Sequence, residues 1–169
     1  YYACTTFVDA QVGKVLDALR ESGQGDSTVV ILISDHGYHL GERGWWNKNT
    51  LFELSCRSPL IVYAPAMKAA GKSCRGIVEF VDIYPSLCEL AGLPLPGHLE
   101  GKSFAPLLVD PARSWKPVAL SQYPRRTSMG YSMRTPRYRL TLWVDQATRE
   151  KTEAVELYDL DADPEESTN

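Results

Sequence analysis

The order of hydrophobic patterns in this chain predicts an α/β fold, a helix-flanked sheet followed by a small antiparallel sheet subdomain. Three observations lead there. A helical stripe over residues 2–22 feeds directly into five consecutive apolar residues, 29–33. A second apolar run, 59–63, follows a long polar and aromatic stretch. After Pro117, strand patterns succeed one another with no helix between them.

In the first segment Val8, Val12, Val15, Leu16 and Leu19 recur at helical spacing, while Asp9, Lys14, Asp17 and Arg20 lie off that stripe. Gly23 is placed to end the helix. After a short turn at 24–27, the mostly β-branched run describes a strand buried on both faces, and a helix entering it so tightly suggests a parallel sheet. Residues 38–58 form a long loop carrying Trp45, Trp46, Asn47 and Lys48, a length usually reserved for function. Residues 59–63 read as a second buried strand and 77–80 as a short one. Residues 82–92 read as a compact helix with Asp82 as N-cap, Pro85 in the first turn and Gly92 at its end. From Leu93 the composition turns to Pro and Gly. Strands are expected at 118–123, over the alternating Met129, Tyr131 and Met133, over Leu140, Leu142 and Val144, and at 155–160. The expected division is 1–95 and 96–169.

Bulk properties exclude some functions. A net charge of −3 with no Lys/Arg cluster offers nucleic acid no basic surface. No apolar stretch approaches the roughly 18 residues that a membrane helix needs. Cys4, Cys56, Cys74 and Cys88 show no C-x-x-C pair and are expected to be mostly free and buried. The chain opens inside a helical pattern without Met and closes on what reads as a helix start, so it is expected to be a piece of a longer protein.

The chemistry concentrates at Asp35-His36-Gly37, where the first apolar run ends. At the carboxyl end of a strand a carboxylate and an imidazole are positioned for a ligand or a metal, provided the backbone turns to bring adjacent side chains together. Asp suits Ca²⁺ or Mg²⁺, and His is more typical of transition metals. The competing reading makes Asp35 a helix cap and His36 a packed side chain. Lys48 is either an ammonium facing an anionic substrate or a solvated surface lysine. Trp45 and Trp46 form a sugar-stacking wall or anchor the loop. His39 and His98 have no evident partner, and Arg43, Arg57, Arg125, Arg126 and Arg134 are anion contacts or surface charges. No G-x-S-x-G elbow or activated cysteine supplies a nucleophile.

Three separated motifs carry a resemblance. S-D-H-G-Y-H-L-G-E-R-G-W-W-N-K at 34–48 resembles the metal-binding segment of type I sulfatases, members of the alkaline phosphatase superfamily. D-I-Y-P-S-L-C-E-L-A-G at 82–92 resembles their V-D-I-Y-P-[ST]-L-x-x-L-A-G segment. The run at 156–164, with Glu165 and Asn169, resembles their L-Y-D-L-x-x-D-P-x-E-x-x-N terminus. S-Q-Y-P-R at 121–125 and M-G-Y-S-M-R at 129–134 are similar to the branch that acts on a sulfated uronic acid of a glycosaminoglycan. The resemblance covers essentially the whole chain and implies an alkaline-phosphatase-like core. It implies a Ca²⁺ site in which Asp35 and His36 match two protein ligands, with Lys48 matching the lysine that contacts the substrate sulfate. The family's formylglycine nucleophile arises from C/S-x-P-x-R, which is absent: V-D-P-A-R at 109–113 keeps only the Pro and Arg. Also missing are the paired N-terminal aspartates that complete the calcium site. The chain is thus expected to be the C-terminal portion of a sulfuric ester hydrolase, inactive alone, partnered by the N-terminal portion of the same protein or by self-association. Family habit implies a lysosomal compartment, or a periplasmic or secreted one in bacteria. The alternatives are a phosphodiesterase or phosphonate hydrolase of the same superfamily, and a non-catalytic carbohydrate-binding or assembly fragment.

Overall fold

The computed structural model describes residues 1–65 and 67–169. Helix α1 (Tyr2–Glu21) follows the expected stripe and stops before Gly23, whose φ of 70° favours glycine. Strand β1 (Val30–Ile33) comes next. Strands β2 (His39–Leu40) and β3 (Trp46–Asn47) form a small antiparallel hairpin closed by a 3₁₀ turn at Glu42–Gly44. The short helix α2 (Glu53–Cys56) leads into β4 (Leu60–Tyr63). No helix among the described residues is long and apolar enough to cross a membrane.

Two expectations need correction here. β1 pairs with β4 antiparallel, from Val30 opposite Tyr63 to Ile33 opposite Leu60, where a parallel arrangement was expected. Nor is either strand buried on both faces: Leu32, Ile33, Ile61 and Tyr63 are exposed, as are Phe7, Val8 and Val15 of α1. The hydrophobic runs are real, but the described residues lay no second layer over them. Such apolar faces ordinarily mark contact with further protein.

The strand expected at 77–80 is also absent. Phe80–Asp82 is a 3₁₀ turn entering helix α3 (Ile83–Leu90). The fully buried Asp82 explains it, accepting hydrogen bonds from the backbone N–H of Glu79 (2.9 Å) and Lys102 (2.7 Å). Asp82 stands at the N-cap position, yet its carboxylate turns back to these loops and to Lys116 Nζ (3.0 Å) instead of capping α3. Lys116 also pairs with Glu79, so one buried ionic group ties 79–82 to the approach of the last sheet.

That sheet is an antiparallel meander in chain order: β5 (Ala119–Arg125), β6 (Ser128–Arg134), β7 (Tyr138–Asp145) and β8 (Thr152–Asp159). All four strands follow the expected pattern, but its faces are reversed. Ser132, Arg139 and Thr141 are buried against the rest of the chain, while Leu120, Leu142, Val155 and Leu157 are exposed. Leu51 packs onto this sheet at Gly130, where an added Cβ would lie 2.6 Å from its side chain. The four cysteines are free as expected, but only Cys88 is buried and Cys4 and Cys74 are exposed.

Candidate functional site

β1 ends at Ile33, and the N–H of Ser34 still continues the ladder to Pro59 O (3.3 Å). Its hydroxyl donates to His36 O at 2.8 Å, bending the chain so that neighbouring side chains no longer point to opposite faces. His36 Nε2 then lies 3.2 Å from Asp35 Oδ2. Gly37 makes the bend possible through close approach, not through unusual dihedrals. Its N–H donates to Ser55 O at 2.8 Å, and a Cβ there would sit 2.0 Å from Leu54 O. The strand end is thereby pressed against α2.

Lys48 reaches the same point from the hairpin. Asn47 adopts φ 75° at the end of β3, and its side-chain oxygen accepts from Asn49 N (3.1 Å), forming a tight turn around Lys48. Lys48 Nζ lies 4.0 Å from Asp35 Oδ2. The geometry therefore brings Asp35, His36 and Lys48 together at one edge. Asp35 is 78% exposed, Lys48 48% and His36 27%, so the cluster opens to solvent with the imidazole as its floor.

The imidazole's hydrogen bonding defines what this cluster accepts. His36 Nδ1 lies 2.6 Å from Gly37 O, and a carbonyl can only accept, so Nδ1 carries the proton. In the neutral ring Nε2 is then a bare lone pair facing a carboxylate oxygen. Two acceptors at 3.2 Å require positive charge between or upon them, either a second ring proton or a shared cation. A ligand imidazole whose far N–H is fixed by a backbone carbonyl is the usual second-shell arrangement of a metal-binding histidine. The donor set thus fits part of a cation site. It is not a whole one: among the described residues no group of three or more His, Cys, Asp or Glu side chains is placed to hold a metal ion, and Ca²⁺ takes 6–8 oxygens or equivalent donors.

A buried group supports the hairpin and α2 through partners that sequence reasoning did not find. The wholly buried His39 bonds through Nε2 to Thr50 Oγ1 (2.9 Å), which in turn contacts Ser55 Oγ at 2.6 Å. This chain braces the hairpin and α2 on either side of Lys48. Burial holds the His39 imidazole below its usual range, aided by Arg43 and opposed by Glu42. The buried Arg139 pairs with Glu53, the first residue of α2, and, at 2.7 Å, with Glu166. The Arg139–Glu166 contact is an ion pair by distance, but the guanidinium Nε–H does not point at the oxygen. Glu166 also accepts from Glu53 N (2.6 Å), anchoring the first turn of α2. Burial raises the Glu53 carboxyl, but Arg134 and Arg139 outweigh it and hold it below the usual carboxylate range. For Glu166, burial prevails and the carboxyl lies above that range.

The remaining sequence candidates fall in different places. Arg134 is no free anion contact, because Glu53 engages it at 3.2 Å. Arg43 stacks on Phe52 and bonds Glu165 O. The half-buried Trp45 lies under the guanidinium of Arg125 at 5.2 Å, whereas Trp46 is exposed. The visible signal for the buried cluster was the alternation of Arg139 and Thr141 with leucines, which ordinarily places polar residues outward.

With this geometry in place, likeness to known proteins is informative. Residues 41–169 match the family described as N-sulphoglucosamine sulphohydrolase, C-terminal. Human iduronate 2-sulfatase is 32% identical over 235 aligned residues, covering 100% of this chain and 43% of that protein. A solved structure of a protein in complex with its substrate, D-glucosamine-2-N,6-O-disulfate, superposes with a TM-score of 0.86 at 30% identity. It covers 96% of this chain and 33% of its own. A phosphonate monoester hydrolase from Silicibacter pomeroyi superposes with a TM-score of 0.76 at 27% identity, over 90% of this chain and 32% of its own. The chain therefore spans less than half the length of these relatives.

Proposed function

Because the chain belongs to the sulfatases, through the C-terminal family that matches residues 41–169, we propose that it is the C-terminal part of an enzyme hydrolysing sulfate esters of sugars. The observation that carries this reading is the convergence of Asp35, His36 and Lys48 on one open edge, with His36 Nδ1 held by the Gly37 carbonyl and Nε2 turned to Asp35. Asp35 Oδ2 and His36 Nε2 are two of the ligands that would hold a Ca²⁺ ion, and the rest belong to the N-terminal part of the same protein. A cation bound there supplies positive charge beside the sulfate's non-bridging oxygens. Lys48 adds a second positive group, and both are worth most where charge builds up on the sulfuryl oxygens in the transition state. The Gly37 carbonyl keeps the proton on His36 Nδ1 and so keeps Nε2 available. His39, Thr50 and Ser55 hold the Lys48 hairpin against α2.

The nucleophile, a formylglycine, belongs to the N-terminal part, since no C/S-x-P-x-R occurs in these 169 residues. The substrate we favour is a sulfated uronic acid of a glycosaminoglycan, and the compartment lysosomal, or periplasmic or secreted in a bacterium. Turnover of an aryl sulfate tests the reading: the 169-residue chain is expected to be inactive alone and the full-length protein active. Robust turnover by the chain alone would refute it. Likeness to the phosphonate monoester hydrolase favours a second reading, phosphonate ester cleavage at the same edge. Faster hydrolysis of an aryl phosphonate than of an aryl sulfate by the full-length protein would select it.

A further inference from the structure

We infer that Arg125 reads a second anionic group on the sugar, a carboxylate or a further sulfate, and thereby sets which sulfated sugar is accepted; this rests on the sulfatase reading above. Arg125 ends β5 at the turn into β6, and its guanidinium lies 5.2 Å over the ring of Trp45. Trp45 precedes Lys48 by one short strand. Asn49, immediately after Lys48, lines a cleft shared with Arg125, Leu51, Trp143 and Glu156. Residues on both sides of the sulfate-facing lysine therefore adjoin this one guanidinium.

Arg125 differs from the arginines of β6 and β7 in what it lacks. Arg134 and Arg139 are paired with Glu53, and Arg137 with Asp159. Among the described residues no carboxylate lies within ion-pair distance of Arg125. Glu156, the acid that lines its cleft, is already engaged by Trp143 Nε1 (2.8 Å) and Tyr158 OH (3.2 Å). The cation–π contact with the indole restrains the guanidinium while leaving its N–H donors open. A planar, exposed and pre-oriented fork without a partner matches a carboxylate or sulfate held two-fold.

The test uses the full-length protein and its Arg125→Ala and Arg125→Lys variants. Three substrates are compared: a 2-sulfated uronic acid, a disulfated glucosamine, and an aryl sulfate with no second anion. For Arg125→Ala, the kcat/KM ratio of an acidic sugar sulfate over the aryl sulfate is expected to fall about tenfold or more, mainly through KM, since one charge-assisted hydrogen bond is worth about that factor. Arg125→Lys should recover part of the ratio. A fall on the uronate alone identifies a carboxylate, and a fall on the glucosamine alone identifies a second sulfate. An unchanged ratio on both sugars overturns the inference while leaving the sulfatase reading intact. No sulfate turnover by the unaltered protein overturns that reading, and the inference with it.

Discussion

Two ionic clusters adjoin α2, built from the same kinds of side chain and put to opposite uses. At the open edge, Asp35, His36 and Lys48 are solvent-accessible and poorly satisfied: two acceptors face each other, and the ammonium stands 4.0 Å away. At the start of α2, Arg139, Glu53, Glu166 and Arg134 are largely buried and engage one another directly. The first arrangement is open to solvent and, in the proposed reading, to a ligand; the second is buried, holds the start of α2 in place, and leaves only Arg139 Nε and Glu166 Oε1 without a hydrogen bond. Ionic residues near each other in space are therefore not evidence of a site until their hydrogen bonds are accounted for.

The comparison is broken most forcefully from the buried side. Arg139→Met leaves the buried Glu166 without a cation and Glu53 with Arg134 as its remaining buried partner, and removing one partner of a buried pair costs about 3–5 kcal/mol. Chemical denaturation of the full-length protein should show that loss. A loss below about 1 kcal/mol would mean that the cluster does not hold the fold. Lys48→Ala should do the reverse, lowering kcat by about 10²-fold with stability and metal content unchanged. Near-normal turnover would remove Lys48 from the site. Gly37→Ala forces a methyl against the Leu54 carbonyl and should cost about 1–3 kcal/mol, as overpacking does. It should also disturb the Asp35–His36 approach, so activity and stability fall together.

The smallest effect concerns pH. An unfolded His39 takes up a proton near its ordinary pKa of 6.5, while the buried imidazole resists protonation until lower pH. The unfolded chain then binds more protons in that window, so the contribution is complete above pH 6.5 and declines as the pH drops below it. His39→Gln keeps a polar partner for Thr50 but cannot titrate, so that part of the pH slope should disappear from thermal denaturation curves. An unchanged slope would show that His39 is not its source.

Much of this was readable from the sequence, for physical reasons. α1, α3 and the four strands of the meander were legible because each depends on local periodicity. The pairing of β1 with β4 was not, because an apolar run specifies burial but not strand direction. Burial itself was misjudged at Leu32 and Ile61, whose cover does not come from the described residues. Asp35 and His36 were singled out because they end a strand, and Lys48 as one of two readings that the family resemblance then favoured. His39 was noted without a partner and the role of Arg139 was missed, since a buried polar network depends on long-range partners such as Thr50 and Glu166 that no local pattern announces. The expected strand at 77–80 failed for the same reason: Asp82 is drawn to Lys102 and Lys116, far along the chain.

The most direct measurement is a crystal structure of the full-length protein grown with Ca²⁺. A cation is expected to touch both Asp35 Oδ2 and His36 Nε2 at about 2.3–2.6 Å, with His36 Nδ1 still donating to the Gly37 carbonyl. A protonated Nε2 bonded straight to Asp35, with the cation held elsewhere, would contradict the account.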